Sequence, residues 1–248
     1  MKHQRVRTTA GLLIALTLAT AAASGQAQQG RNPSAAELVE QFKSTKVFWQ
    51  QFEVAKQIVA FHDKSVLREL EGWLDKDDRH VRGNAAFVLA SLGDDRGFNV
   101  IVAMIYDRSD RPEGQGMSVI SSDGRYHVAR QIVADRYYAV HLLGELKDAR
   151  AVPVLIPLLK DKELNYKVPW ALEQIGDRSA DWPLVGALRD EDPSVRVFSA
   201  QALAKLGATE AVPYLRALLN DREKSRLGDP VTVAEAAKAA IVELEGKP

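Results

Sequence analysis

Five stretches of this 248-residue chain superimpose once their aliphatic residues are aligned. Four are clear: LASLGDDRGFNVIVAMI (89–105), LGELKDARAVPVLIPLL (143–159), LEQIGDRSADWPLVGAL (172–188) and LAKLGATEAVPYLRALL (203–219). A fifth, VAFHDKSVLRELEGWL (59–74), is fainter. Their last residues, Leu74, Ile105, Leu159, Leu188 and Leu219, lie 31, 54, 29 and 31 positions apart. A fixed period near 30 restricts the fold severely. Units this short cannot bury their own apolar faces and must stack on their neighbours.

Each unit reads as two antiparallel helices. The first ends at a glycine (Gly93, Gly176, Gly207), suited to a left-handed C-cap, and a short polar turn follows. Pro153, Pro183 and Pro213 then fall in the first turn of the second helix, where a missing N–H costs little. Asp192-Pro193 and Asp229-Pro230 supply N-cap and first-turn signals for later helices, the last predicted over 231–245. Ser34 to Glu37 forms a capping box for a short helix, and 47–61 supplies a longer, aromatic one. The expected fold is all-α: a right-handed α-solenoid (an alpha-alpha superhelix) of about five to six helix pairs, with one inserted loop and β-hairpin.

That insertion explains the 54-residue step. It covers about 108–128, opening with the turn-rich RSDRPEGQG (108–116). Met117 to Ile120 is predicted to pair with Arg125 to Val128 across Ser121 to Gly124 as a hairpin. Insertions in solenoids gather on one face and often bind. Arg108, Arg111, Arg125, Tyr126 and His127 are therefore the expected contact residues.

The first 27 residues read as a signal peptide. Lys2, Arg5 and Arg7 precede the apolar run 10–23, and small residues suit cleavage after Ala27 or Ala23. Residues 28–44 would form an N-terminal segment and 45–248 the repeat domain. The protein is then expected to be exported, periplasmic or secreted, with no membrane span once the leader is cut. The whole chain is formally neutral, with 33 basic and 33 acidic side chains. Losing a leader with three cations and no acid leaves −3, which does not advertise a nucleic-acid surface. There is no cysteine, so neither a disulfide nor a cysteine nucleophile is available.

The pattern at Leu92-Gly93-Asp94, and again from Lys147 to Leu155, resembles the short HEAT-like repeats first named from phycobilisome lyases. The resemblance extends over roughly 45–245. Such repeats serve scaffolds, chromophore lyases and a few metalloenzymes alike, so the likeness fixes architecture more than chemistry. In proteins of this kind, residues such as Asp78 with Arg82, and Asp192 with Arg196, form a ladder of bonds between units. An anion-binding surface of Arg82, Arg136 and Arg196 is the alternative.

No catalytic constellation emerges. G-x-S-x-G and Walker loops are absent, and beyond the leader His62, His80, His127 and His141 fall in different units. No catalytic residue, cofactor site or metal site is predicted, since zinc or iron needs three or four convergent ligands. Trp49, Trp73, Trp170 and Trp182 are expected in the core, Trp182 with the weakest claim. The expectation is a non-catalytic, exported scaffold that binds an unidentified protein partner through a concave surface of second helices and the insertion, without enzymatic activity. The alternative is a lyase-like enzyme or a chromophore- or small-ligand-handling protein. A structural spacer without a specific partner is a third possibility.

Overall fold

Two columns of fully buried aliphatic residues run through the protein in the same 31, 54, 29 and 31 steps. Ile58, Leu89, Leu143, Leu172 and Leu203 form one; Leu70, Ile101, Leu155, Leu184 and Leu215 form the other, and all ten have no exposed surface. Each contributes on the order of 2 kcal/mol from apolar burial, which only stacked neighbours can provide. The computed structural model describes residues 32–109, 124–228 and 230–246.

The first column sits on helices α2 (Phe48–Ala60), α4 (Arg79–Ser91), α6 (Gly124–Leu146), α8 (Val168–Ile175) and α10 (Pro193–Leu206). The second sits on α3 (Leu67–Leu70), α5 (Asp95–Tyr106), α7 (Val152–Leu155), α9 (Asp181–Ala187) and α11 (Val212–Arg216), most of them flanked by 3-10 turns. First helices pack on first helices in sequence, from α2 through α4, α6, α8 and α10 to α12 (Val233–Glu245). Helix α1 (Ala35–Ser44) covers the other end through α2. The result is an all-α solenoid of five helix pairs with a helix at each end. Among the described residues there is no strand, only an isolated bridge between Lys224 and Thr232.

Every pair turns the chain at one left-handed residue. Gly93 (φ 89°), Gly176 (77°) and Gly207 (70°) fill three of these positions, and His62 (53°) and Lys147 (54°) fill the other two. In four of the five the next residue is an aspartate, Asp63, Asp94, Asp148 or Asp177, whose carboxylate accepts a backbone N–H two positions on and starts the second helix; after Gly207 it is Ala208, without a side-chain cap. Gly97 is required for another reason. A Cβ there would lie 2.2 Å from the Ala86 carbonyl oxygen, so α5 could not cross α4 as closely.

Two sequence expectations change at helix starts. Residues 124–128 belong to α6, so Arg125 to Val128 is not the second strand of a hairpin. Helix α6 begins about nine residues before the register of α4 and α10, and its extra turns continue a hydrogen-bonded ladder already anchored by the buried part of the helix. That continuation overrides the strand preference of Tyr and Val. Residues 117–120 lie outside the described residues, as does Asp229. The last helix takes its start from Thr232, whose side chain accepts from Glu235 N while Glu235 reaches back to Thr232 N. This reciprocal capping box defines the boundary two residues later than expected.

Candidate functional site

Arginines at one register position clamp three helix pairs from within. Arg82 on α4 bonds Asp107 at the end of α5, at 3.4 Å. Arg136 on α6 bonds Asp161 beyond α7, and Arg196 on α10 bonds Asp221 beyond α11 at 3.0 Å. The interval is 25 residues each time. Arg136 is almost wholly buried; it also donates to the Ile105 carbonyl at 2.7 Å and pairs with Glu163. Arg196 adds Glu223 at 2.7 Å and the Asp190 carbonyl.

Asp78 and Asp192, predicted to join these arginines in a ladder, instead cap the helices that carry them. Asp78 accepts from His80 N and Val81 N, and Asp192 from Ser194 N. All three arginines of the alternative anion surface therefore have carboxylate partners inside the fold. Of the insertion residues, Arg108 pairs with Glu163 at 3.0 Å. Arg111 lies outside the described residues. Arg125, Tyr126 and His127 lie on the first turns of α6.

From one to five positions past the clamp register, the helices α6, α8 and α10 or the turns before them carry rings. Tyr137 on α6, Tyr166 and Lys167 ahead of α8, Trp170 on α8 and Phe198 on α10 line a cavity of about 490 Å³, together with Glu173, Gln201 and Leu227. The rings are half-buried. Tyr137 and Tyr166 lie 5.7 Å apart at 31°. His141 stacks on Trp170 at 4.8 Å and 19°, which extends the surface toward Tyr138, His80 and Phe48. Gly144 allows this packing, because a Cβ there would meet the Trp170 ring at 2.8 Å and the Ala171 backbone at 3.0 Å. Beneath the stripe Tyr138 donates to Asn84, which donates in turn to Gln51 at 2.9 Å and to the Phe48 carbonyl at 2.8 Å. With its polar groups thus satisfied, the interior under the rings is held rigid.

The Lys167 ammonium sits 3.2 Å over the Trp170 ring and 5.2 Å from that of Tyr137. Burial lowers its pKa to about 8, against a weak opposing pull from Glu145. Burial, then the positive charges of Lys167 and Lys56, lower His141 to about 4, so its imidazole is neutral at pH 7. Burial raises the Glu173 carboxyl and the Tyr137 and Tyr166 phenols. The cavity thus offers flat apolar walls and one cation that can lose its proton near pH 8, with a neutral imidazole stacked against its Trp170 wall.

The repeat pattern did not point to this cavity. Of the tryptophans expected in the core, Trp49 and Trp182 are largely exposed and Trp170 is a cavity wall. The second helices were the expected binding surface, whereas the cavity is built on the first helices α6, α8 and α10. The available signal was register: Tyr138, Lys167 and Phe198 are equivalent positions, as are His141, Trp170 and Gln201. Among the described residues no three His, Asp or Glu side chains converge as metal ligands, and no helix is long and apolar enough to cross a membrane.

Comparison with known proteins bears on this region. The HEAT repeats profile matches residues 166–228, and the PBS lyase HEAT-like repeat profile matches 135–161. The phycocyanobilin lyase subunit alpha of Picosynechococcus is 34% identical over 124 residues, covering 46% of this chain and 41% of that protein. The bilin biosynthesis protein PecE of Mastigocladus laminosus is 37% identical over 100 residues, covering 39% and 37%. The chain thus spans about two-fifths of the length of these curated relatives. A solved complex of CpcE and CpcF of phycocyanin lyase from Nostoc aligns with a TM-score of 0.48 at 19% identity, covering 92% of this chain and 71% of that one. The curated relatives overturn the expectation of a non-catalytic scaffold without enzymatic activity, because they are named for lyase and bilin chemistry. Repeat pattern alone could not separate these readings, since one stacking geometry serves both.

Proposed function

Starting from a chain that is a HEAT-repeat protein of the short, phycobilisome-lyase-like type, we propose that it handles an open-chain tetrapyrrole (a bilin) as a lyase-type protein. The observation that carries this is the cavity on α6, α8 and α10. Its lining residues all fall within the two profile-matched segments, 135–161 and 166–228. A bilin is flat and conjugated, and Tyr137, Tyr166, Trp170 and Phe198 present the ring faces and edges that such a molecule packs against. The chain has no cysteine, so a thioether to a bilin cannot form on it. It would hold the chromophore non-covalently, and attachment would occur on a partner protein. The name "subunit alpha" of the Picosynechococcus relative favours a second lyase chain as a further partner.

Titration with phycocyanobilin, followed by the visible absorbance band and by tryptophan quenching, tests the binding step. Saturable binding that Trp170→Ala weakens by about tenfold, or about 1.4 kcal/mol, is expected. Absence of binding to the unaltered protein refutes the proposal. Transfer is read separately, as bilin fixed to an apo-phycobiliprotein on a denaturing gel. Export by residues 1–27 is a separate proposal, supported by the basic start and the apolar run. N-terminal sequencing of protein recovered from the producing cells checks it, and an intact Met1 on the folded protein refutes it.

A further inference from the structure

Lys167 stands out among the buried or half-buried cations. Arg136 and Arg196 each pair with two carboxylates, and Arg82 pairs with Asp107. Lys167 is half-buried in the cavity wall, and no carboxylate among the described residues lies within ion-pair distance of it. Its neighbours are rings: Trp170 at 3.2 Å and Tyr137 at 5.2 Å. Its position is unfavourable in a second way. Lys167 is the N-cap residue of α8, at the positive end of the helix dipole, and no side chain caps the helix there. A cation held at the positive end of a helix, in a cavity and without a counter-ion, leaves a place for an anion.

We propose that Lys167 holds a carboxylate of the ligand, so that the molecule taken by this cavity is a flat conjugated acid lying on Trp170 with its carboxylate at the N-terminus of α8. This rests on the bilin reading, because a bilin carries two propionate side chains. The groups facing Lys167 are mostly uncharged rings, with Glu145 drawing on the ammonium from outside ion-pair distance. From α6 come Glu145, Tyr137 and the neutral His141, from the turn before α8 comes Tyr166, and from α8 itself Trp170 and Glu173. The ring faces favour the cation, and a carboxylate brings the missing charge. Lys167 is a binding residue here; no bond is made or broken on it.

The test compares phycocyanobilin as free acid with its dimethyl ester, read as quenching of tryptophan fluorescence. The unaltered protein is expected to bind the acid at least tenfold more tightly than the ester. Lys167→Met should abolish that preference by weakening the acid alone, and Lys167→Arg should retain most of it. Equal affinity for acid and ester in the unaltered protein overturns the assignment and leaves the bilin cavity standing, and that comparison needs no variant to fold. A preference that survives Lys167→Met also overturns it. Failure of both forms to bind overturns the bilin reading and this assignment together.

Discussion

Neighbouring residues of α6 face two different fates. Arg136 turns into the protein, where Asp161, Glu163 and the Ile105 carbonyl meet it. Tyr137, the next residue, turns to the cavity, where the nearby cation Lys167 has only rings beside it. One region spends its charges on holding a helix pair together, and the other leaves a charge available. Partnership, more than burial, separates architecture from function in this protein, since Arg136 is the more buried of the two cations.

The contrast can be broken in two opposite directions. Arg136→Met should cost about 3 kcal/mol of stability in chemical denaturation, because it strands two carboxylates and a buried carbonyl. Bilin affinity of the folded fraction should stay within about twofold, since the cavity walls remain. Lys167→Met should do the reverse, leaving stability unchanged or slightly raised while affinity for the acid falls. If both variants lose stability and binding together, the two regions are not separate.

The pH dependence of binding sharpens the same point. Lys167 in the free protein loses its proton near pH 8, because burial lowers its pKa. Below that value the cation is present, and affinity for a bilin acid should be flat. Above it, binding must take up a proton, so affinity should fall by up to roughly tenfold per pH unit. Tyr137 and Tyr166, raised by burial, stay protonated through this window, and His141 stays neutral. The dimethyl ester should show no such fall.

A smaller effect concerns the turns. Lys147 occupies a left-handed position that glycine fills in three other pairs. Lys147→Gly should raise stability by about 1 kcal/mol, as a left-handed side chain costs on that order. An unchanged denaturation midpoint would show that its surroundings already compensate.

Much of the architecture was legible in the sequence. The steps between Leu74, Ile105, Leu159, Leu188 and Leu219 are also the steps of both buried columns, because each stacked pair must present the same apolar positions to the next. The helix caps at Ser34 and Asp192, and the left-handed glycines, followed from local chemistry alone. The insertion was less legible. Tyr126 and Val128 suit a strand in isolation, and only the anchored remainder of α6 makes them helical. The cavity was not found, because Tyr137, Lys167 and Phe198 lie 30 or so residues apart and look like ordinary helix positions one at a time. Aligning the units against the arginine at 82, 136 and 196 brings them together. No motif search would, since the site is a column across repeats and not a string within one.

That column has a mechanical consequence. The cavity takes one first helix from each of three successive pairs, α6, α8 and α10, and solenoids bend by small rotations between adjacent units. Its mouth must widen or narrow whenever the array flexes. A molecule seated across Tyr137, Trp170 and Phe198 would act as a strap over three units, stiffening the coil when occupied and releasing its curvature when it leaves.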